Sequence, residues 1–324
     1  MGAMKANDLP FSIHFKLKTI SPYSFELTVH KPAGWSFLTP HEVFEDNILW
    51  TAVRMPDGKM YGLKLKSTGT VKKPAILCEV FSKEKLDSNQ KERMFYTVAW
   101  ALSAQEDIRP FYSLAKRDSL VNVLVNDLYG MRRTKRPDIF PQLILAVTLQ
   151  MAPIRRSDQM MTLLIEEYGE KVAFDSKEIT YWPSPAIIAS KDFRELKERS
   201  KLGYRAPVLK GIAQALCKGF PTLQELEAMK TEAAKAKLME LKGIGEYSAD
   251  MVSPHPGFAL DVWSAKIFGL LLLGKESEVP RTVIPRLKKI AEKRWGRWRG
   301  YVLTYVLNDL PNLSKRFKLS LEEL

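Results

Sequence analysis

The sequence predicts an α+β protein, in which an N-terminal antiparallel β-sheet domain with a few helices is followed by an all-α domain. Apolar and polar residues alternate with a period of two through most of the first hundred residues. From about residue 91 onward, apolar residues recur at the spacing of helical faces. We therefore expect two domains, residues 1–105 and residues 106–324.

Five strands are expected in the first domain. The segments "FSIHFKLK" (11–18) and "YSFELTVH" (23–30) alternate in polarity and are joined by "TISP". The segments "ILWTAVRM" and "KMYGLKLKS" flank "PDG", which is typical of a hairpin turn. The segment "AILCEVFS" (75–82) supplies the fifth strand.

Helices are expected in the rest of the chain. The segment "KERMFYTVAWALS" (91–103) is amphipathic, and "IFPQLILAVTLQM" (139–151) is apolar on nearly all sides, as in a buried helix. Four further helical segments each end on a glycine, a common helix stop: "SLVNVLVNDLYG", "SDQMMTLLIEEYG", "APVLKGIAQALCKG" and "TEAAKAKLMELKG".

The net charge of +13 favours a polyanionic partner, either nucleic acid or an anionic membrane surface. No apolar run reaches the roughly 18 residues that a spanning helix needs, and the first residues lack the apolar centre of a secretion signal. Two cysteines, Cys78 and Cys217, are too few for a disulfide framework, a thiolate zinc site or an iron–sulfur cluster. The four histidines are scattered, so we expect no metal.

The segment "LMELKGIGEYSADMV" predicts a helix, a tight hairpin and a second helix that begins near Glu246. Gly243 and Gly245 permit backbone angles that other residues avoid, and they let a phosphate approach the main chain. The free amides at the start of the second helix attract anions. Ile244, between the glycines, should anchor the hairpin in the core. The pattern indicates a helix-hairpin-helix grip on a DNA backbone, while an ordinary helix–helix turn remains the alternative.

Asp261 lies directly before an apolar helical run and follows Gly245 by 16 residues. It is expected to cap that helix, since an aspartate accepts hydrogen bonds from the first free amides. A carboxylate at a helix N-terminus is stabilised in its charged form. Such a group could also stabilise the positive charge that develops on a deoxyribose when an N-glycosidic bond breaks.

Several stretches together resemble the HhH-GPD superfamily of DNA glycosylases, and the likeness is strongest from about 105 to 310. "LKGIGEYSAD" is similar to the family hairpin L-P-G-[IV]-G-x-x-x-A-[DE], with Lys242 in place of the usual proline. "LGYRAPVLKGIAQAL" resembles a helix of 8-oxoguanine DNA glycosylases, and "RWGRWRGYVLTYVL" resembles the C-terminal helix of AlkA-type 3-methyladenine glycosylases. The resemblance implies that the second domain has two helical subdomains with the active-site cleft between them.

The resemblance also implies roles for individual residues. "LDVWSAKIFG" matches the segment with the family's catalytic aspartate, which gives Asp261 that role. "LILAVTLQMAPIRRSDQMM" resembles the family's helix and DNA-facing turn, so Met151 aligns with the AlkA residue that fills the gap left by a flipped base. The residues expected to contact DNA are Gln150, Met151, Arg155, Arg156, Lys242, Gly243, Ile244 and Gly245. Further phosphate contacts are expected as a set from the basic stretches 131–138 and 286–300.

The expected base pocket consists of Tyr247, Met251, Trp263 and Leu307. Tyr247 aligns with an aromatic pocket residue of AlkA-type enzymes, and an electron-rich ring suits a cationic alkylated purine. Leu307 stands where AlkA-type enzymes have a pocket tryptophan, and Trp263 stands where 8-oxoguanine enzymes have a histidine. Alkylated purines, hypoxanthine and oxidised guanine therefore all remain open as substrates.

Lyase-active relatives have a nucleophilic lysine two positions after the second hairpin glycine, where this chain has Tyr247. A tyrosine cannot form the Schiff base that a lysine forms with the sugar. The resemblance thus implies a monofunctional DNA glycosylase of base excision repair, without a cofactor. It implies a monomer that acts on double-stranded DNA containing a damaged base, in the cytoplasm, or in the nucleus if the source is eukaryotic. The alternatives are a bifunctional 8-oxoguanine DNA glycosylase/lyase and a non-catalytic helix-hairpin-helix DNA-binding protein.

Overall fold

The computed structural model describes residues 6–255, 257–274 and 280–317 of the chain. The expectation that there is no secretion signal rests partly on the first five residues, which lie outside the described part. Pro256 and the last seven residues of the expected second domain also lie outside it.

A five-stranded antiparallel sheet forms most of the N-terminal part, with the strand order β2-β6-β5-β4-β3. The bounds of its strands, in chain order, are β2 Phe11–Lys18, β3 Val43–Glu45, β4 Ile48–Arg54, β5 Met60–Ser67 and β6 Ala75–Ser82. Gly58 in the turn between β4 and β5 has a φ of 80°, which explains the glycine after Pro56-Asp57. Four of the five predicted strands are therefore confirmed, including the hairpin at "PDG".

The strand predicted at 23–30 is wrong, because this segment forms the short helix α1, Phe25–Val29. Ser24 caps α1 by accepting a hydrogen bond from the amide of Leu27 at 3.3 Å. The buried residues Phe25, Thr28 and Val29 follow a helical spacing rather than strict alternation. The fifth strand of the sheet is instead the short β3.

The described helices follow the predicted helical segments closely. α2 covers Ser88–Ala101, and α5, Phe140–Thr148, is buried on most sides as expected. The remaining helices with their bounds are α3 Arg109–Leu114, α4 Ser119–Asp127, α6 Ile154–Tyr168, α7 Pro185–Ser190, α8 Phe193–Arg199, α9 Arg205–Cys217, α10 Leu223–Ala228, α11 Thr231–Met239, α12 Glu246–Val252, α13 Val262–Leu273, α14 Pro280–Trp295, α15 Arg299–Asn308 and α16 Leu310–Phe317.

The second part of the chain is not entirely helical, which corrects the expectation of an all-α domain. Two strands, β7 Glu170–Phe174 and β8 Lys177–Tyr181, form an antiparallel hairpin. The short strand β1, Asn7–Asp8, pairs with β7 in the parallel direction. This small sheet packs beside the large one, since the ring of Phe174 lies 4.9 Å from that of Phe81.

Among the described residues, the buried apolar side chains form two separate cores. The first core joins the N-terminal sheet to the helices between residues 139 and 252. The second core is built from residues 108–131 together with residues 258–313. Helices α12 and α13 therefore belong to different cores, and the loop between them crosses from one to the other. Within the described residues, no helix combines the length and apolar character needed to cross a membrane.

Candidate active site and nucleic-acid interface

The glycine hairpin has the predicted helix-hairpin-helix geometry. Gly243 has a φ of 91°, and a Cβ atom there would lie only 2.5 Å from Cγ1 of Val208. Gly245 precedes α12, and a Cβ atom there would meet nothing within 4 Å. Its φ of −95° is open to any residue, so the expectation of an unusual backbone angle is confirmed at Gly243 and wrong at Gly245. Ile244 is 4% exposed, so its side chain anchors the hairpin in the first core, as expected. The hairpin therefore faces open space at Gly245, directly before the free amides of α12.

The turn after α5 is attached to this hairpin through Gln150. Its side-chain Nε2 donates to the carbonyl oxygen of Gly243 at 2.7 Å and to Oγ of Ser248 at 3.2 Å. The carbonyl oxygen of Gln150 in turn accepts a hydrogen bond from the Arg205 guanidinium. The expected DNA-facing residue Gln150 thus acts within the chain as a clamp between two segments.

Met151, next to Gln150, is the most exposed large apolar side chain of the described residues, at 80%. Its φ of 48° lies in the left-handed region, which is uncommon for residues other than glycine. Local strain of this kind is found where the surrounding structure fixes a functional loop. The fixed turn therefore presents an apolar side chain directly to solvent.

Asp261 caps α13, as the sequence predicts. Its Oδ1 accepts hydrogen bonds from the backbone amide of Ser264 at 2.7 Å and from Ser264 Oγ at 2.6 Å. Its own amide donates to Ser264 Oγ at 2.8 Å, which completes a capping box. Ser264, which the sequence analysis did not single out, therefore fixes the carboxylate, and its position three residues after Asp261 was the available signal.

Tyr247 meets Asp261 across the boundary between the two cores. The Tyr247 hydroxyl donates to Oδ2 of Asp261 at 3.5 Å. Burial and the negative charge of Asp261 raise the pKa of Tyr247 well above its ordinary value. The tyrosine therefore stays protonated at neutral pH and acts as a hydrogen-bond donor. Ser264 therefore donates to Oδ1 of Asp261, and the Tyr247 hydroxyl donates to Oδ2.

The other three expected pocket residues are half-buried, and they do not all belong to one core. Met251 lies one helical turn after Tyr247 on α12 and packs against the first core. Trp263 and Leu307 pack against the second core. A pocket that uses all of them would therefore lie between the two cores.

Asp250 links the two cores through ion pairs, a role that was not predicted from the sequence. Its side chain is only 4% exposed and lies 2.6 Å from Nζ of Lys235 and 3.1 Å from Nζ of Lys288. Lys235 is on α11 of the first core, whereas Lys288 is on α14 of the second. The acidic residue at the end of the hairpin motif was the signal for this contact.

The basic stretches contribute fewer free cations than expected. Arg132 is fully buried, and Lys135 forms an ion pair with Glu227 at 2.5 Å, so neither is available as the phosphate contact expected of 131–138. In the stretch 286–300, Arg294 is paired with the N-cap residue Asp118 at 2.5 Å. Charge counting along the sequence cannot separate such internal pairs from surface cations.

Arg155 and Arg156 differ in their surroundings although both are exposed. Arg156 donates to the carbonyl oxygen of Lys201 at 2.9 Å and to Oε1 of Gln159. Lys242 is exposed at the start of the hairpin. Lys242 thus lies on the exposed surface beside the hairpin, and Arg155 lies on the exposed surface beside the Met151 turn.

No protein-family model matches the chain. The chain is 26% identical over 168 residues to a DNA-3-methyladenine glycosylase of Bacillus subtilis, a match that covers 50% of this chain and 54% of that protein. It thus spans about half the length of that relative. It is 20% identical over 225 residues to a probable N-glycosylase/DNA lyase of Methanothermobacter thermautotrophicus, covering 62% of this chain and 70% of that protein.

Two solved structures share the fold over nearly the whole chain. The 3-methyladenine DNA glycosylase from Archaeoglobus fulgidus superposes with a TM-score of 0.71 at 17% identity, covering 94% of this chain and 100% of that one. The Clostridium acetobutylicum 8-oxoguanine glycosylase/lyase, in complex with double-stranded DNA, gives a TM-score of 0.67 at 14% identity, covering 95% and 99%. In sequence and in fold, this chain therefore resembles the HhH-GPD DNA glycosylases of the 3-methyladenine and 8-oxoguanine types.

Proposed function

We propose that this protein is a monofunctional DNA glycosylase that removes a damaged base from double-stranded DNA. The observation that supports this most is the fixed Asp261 carboxylate at the boundary of the two cores, with Tyr247 beside it. Its likeness to glycosylases of two branches supports the reaction class. The substrate we propose is an alkylated or deaminated purine.

In this proposal Asp261 stabilises the positive charge that develops on the deoxyribose as the N-glycosidic bond breaks. Its orientation is set before the substrate arrives, because Ser264 holds Oδ1 through two hydrogen bonds. Preorganised charge of this kind acts without reorganising during the reaction. Oδ2, which accepts the long hydrogen bond from Tyr247, is the oxygen directed to the sugar.

Tyr247 occupies the place where a lyase would need an amine. Because its hydroxyl is protonated and hydrogen-bonded to the carboxylate, it serves to position Asp261 and to form a wall for the base. Water is then the nucleophile, and the product is an abasic site. The cationic base of an alkylated purine would gain from the adjacent electron-rich ring.

Extrusion of the base is assigned to the turn at Met151. Unstacking a base costs a few kcal/mol, and an apolar side chain that fills the gap offsets part of this cost. The hairpin at Gly243 and Gly245 holds the backbone, and Gln150 fixes the distance between hairpin and turn. Contact with duplex DNA through these elements, by a monomer, is part of the same proposal.

The test is the Asp261→Asn variant, assayed on duplexes that each contain one lesion and scored for abasic sites after alkali. We expect base release to fall by about 10²–10³-fold, in the range measured for removal of one preorganised electrostatic group. Asp87→Asn is the matched control, because Asp87 forms the same kind of capping box on α2. Equal turnover by Asp261→Asn and wild type would contradict the assignment.

A bifunctional glycosylase/lyase is the second candidate, favoured by the fold of the Clostridium relative. Reduction with borohydride in the presence of substrate DNA distinguishes the two. A monofunctional enzyme gives no covalent protein–DNA adduct, whereas an amine nucleophile gives one. A non-catalytic DNA-binding protein would release no base from any lesion in the same panel.

A further inference from the structure

A shallow groove lies on the outside of the second core, between the segment that follows β2 and the helices α3 and α4. Its volume is about 480 Å³, and its lining includes Ser21, Pro22, Arg109, Tyr112, Lys116 and Tyr129. None of these residues belongs to the candidate active site. The volume is in the range of pockets that hold one small ligand.

Two tyrosines form an aromatic wall of this groove. The rings of Tyr112 and Tyr129 are stacked, with centroids 5.4 Å apart and an interplanar angle of 22°. Tyr129 is 43% exposed, so its ring remains accessible although it is stacked on Tyr112. The Tyr112 hydroxyl accepts a hydrogen bond from the amide of Gly130 at 2.8 Å, which fixes the two rings relative to each other.

The turn that carries Tyr129 is held rigidly against the N-terminal part. Gly130 has a φ of 89°, and a Cβ atom there would lie 2.6 Å from the amide nitrogen of Ser24. Its carbonyl oxygen accepts a hydrogen bond from that same amide at 2.8 Å. The groove is therefore a built feature and not a chance gap between mobile loops.

A strip of lysines leads from the sheet to this groove. Lys16 on β2 and Lys66 on β5 both pair with Leu77 on β6, so they stand on either side of it, about 10 Å apart at the usual strand spacing. Lys18 lies two residues after Lys16 on the same face of the sheet. Lys72 and Lys73 follow Val71, whose backbone carbonyl accepts a hydrogen bond from the amide of Tyr23 next to the groove.

These five lysines, which we call the lysine strip, are exposed and form no ion pair with a described residue. The ion pairs of the two sheets use other lysines, namely Lys59, Lys64, Lys171 and Lys177. Lys116 in the groove is likewise exposed without an ion pair in the described part of the chain. Arg109 differs, because its guanidinium is held by Asp107 at 2.7 Å.

From this arrangement we infer a second nucleic-acid site, in which single-stranded DNA lies along the lysine strip and one base stacks on Tyr129. A row of cations beside an aromatic platform is the combination that binds single strands without reading their sequence. A duplex would fit less well, because its bases are not free to enter the tyrosine groove. The site is independent of the proposed active site and would stand if base release were never observed.

The test measures binding of a fluorescent oligo(dT) of about 15 nucleotides by anisotropy, using the full chain. Tyr129→Ala should weaken binding by about 5- to 150-fold, from the stacking energy of one base. Tyr96→Ala is the matched control, because Tyr96 is 61% exposed on α2 and lies outside the groove. Thermal melting of each variant confirms that it is folded.

The lysine strip is tested by the double variant Lys16→Gln/Lys18→Gln. The logarithm of its oligo(dT) binding constant should fall less steeply with the logarithm of the salt concentration than in wild type. The slope should be smaller by about 1.4, which corresponds to two lost phosphate contacts. The control is Lys197→Gln/Lys218→Gln, two exposed lysines elsewhere on the surface. On a lesion duplex too short to extend to the lysine strip, this variant should release the base at the wild-type rate.

Two results would overturn the inference. One is unchanged oligo(dT) binding in both Tyr129→Ala and the strip variant. The other is an equal loss in the strip variant and in its control, which would indicate general charge attraction. If the strip variant instead lost binding to phosphatidylserine vesicles while keeping oligo(dT) binding, the strip would be a membrane contact.

Discussion

The side chain of Gln150 donates a hydrogen bond to the carbonyl oxygen of Gly243 at 2.7 Å, which joins the Met151 turn to the glycine hairpin. The two segments are 93 residues apart in the chain. Under the proposed function, the hairpin holds the DNA backbone and the Met151 turn fills the gap left by the base. A fixed distance between them would determine which nucleotide is extruded.

Gln150→Ala should therefore reduce base release from duplex DNA by about tenfold, with a small effect on stability. The two hydrogen bonds lost, to Gly243 and to Ser248, are at least partly exposed, so the cost in the free energy of unfolding should be about 1–2 kcal/mol. Gln214→Ala, an exposed glutamine on α9, is the control. If both variants release base at the wild-type rate, the clamp has no role in catalysis.

Met151→Ala should reduce base release at least tenfold on duplex substrate and much less on single-stranded substrate. A single strand needs no filler for the gap, because its bases are already unstacked. The comparison variant is Met239→Ala, which removes a methionine that is 49% exposed at the end of α11. Equal losses on the two substrates would show that Met151 supports the fold of the site and not base extrusion.

The two hairpin glycines should respond differently to the same substitution. Gly243→Ala forces a Cβ atom against Val208 at a φ of 91°, so the protein should lose about 1–3 kcal/mol of stability. Gly245→Ala has open space and a φ of −95°, so the protein should stay folded. We expect Gly245→Ala instead to weaken duplex binding, because the new methyl group blocks the approach of a phosphate.

Chemical denaturation and anisotropy separate these two effects. The double variant Gly243→Ala/Val208→Ala should recover part of the stability, because the clash is removed while the backbone strain remains. A Gly245→Ala variant that binds duplex DNA as tightly as wild type would contradict the role of this hairpin.

Asp309 should make stability depend on pH. Burial and the neighbouring Asp127 carboxylate raise the pKa of Asp309 to about 6, against hydrogen bonding from Asn312 and the charge of Arg316. A raised folded pKa means that the folded state binds the proton more tightly. Stability is thus greatest below the ordinary pKa of about 4 and is lost as the pH rises through about 6.

The Asp309→Asn variant should therefore melt at a higher temperature than wild type at pH 7.5, by several degrees. The difference should disappear at pH 4, where the wild-type carboxyl is protonated. Exposed Asp158→Asn serves as the control and should shift the melting temperature little at either pH. A stabilisation that persists unchanged at pH 4 would show that the charge of Asp309 is not its cause.

Asp250→Asn should weaken the contact between the two cores, because it removes the charge shared by Lys235 and Lys288. A loss of about 1–3 kcal/mol is expected, since both lysines retain access to water. Native-state hydrogen exchange should show faster exchange on both α11 and α14. Faster exchange on only one of these helices would mean that Asp250 does not connect the cores.

Local patterns predicted most of the secondary structure, and their failures have physical reasons. The segment 23–30 alternates in polarity, but Ser24 offers a cap, and the buried residues fit a helix. The hairpin at 170–181 was missed although "DS" lies at its turn, where Asp175 and Ser176 have φ values of 47° and 59°. Its pairing with β1 is a contact across more than 160 residues, which no local pattern contains.

The sequence predicted those features of the site that depend on the residue type at a single position. The cap at Asp261 and the glycines at 243 and 245 follow from residue type and spacing. The orientation of Asp261 by Tyr247 requires α12 and α13 to meet, and this depends on the tertiary fold. The contacts of Gln150 and the burial of Arg132 depend on it equally.

The second core is discontinuous in sequence, and this matters while the chain is being synthesised. Phe111 and Leu124 are synthesised early, but Phe268 and Tyr305 of the same core lie at least 140 residues further along the chain. At typical translation rates of about 5–20 residues per second, 140 residues take about 7–28 s. During that time α3 and α4 expose apolar faces that only the last part of the chain can cover. A nascent chain halted before α13 should therefore depend on chaperones, although its N-terminal sheet is already complete.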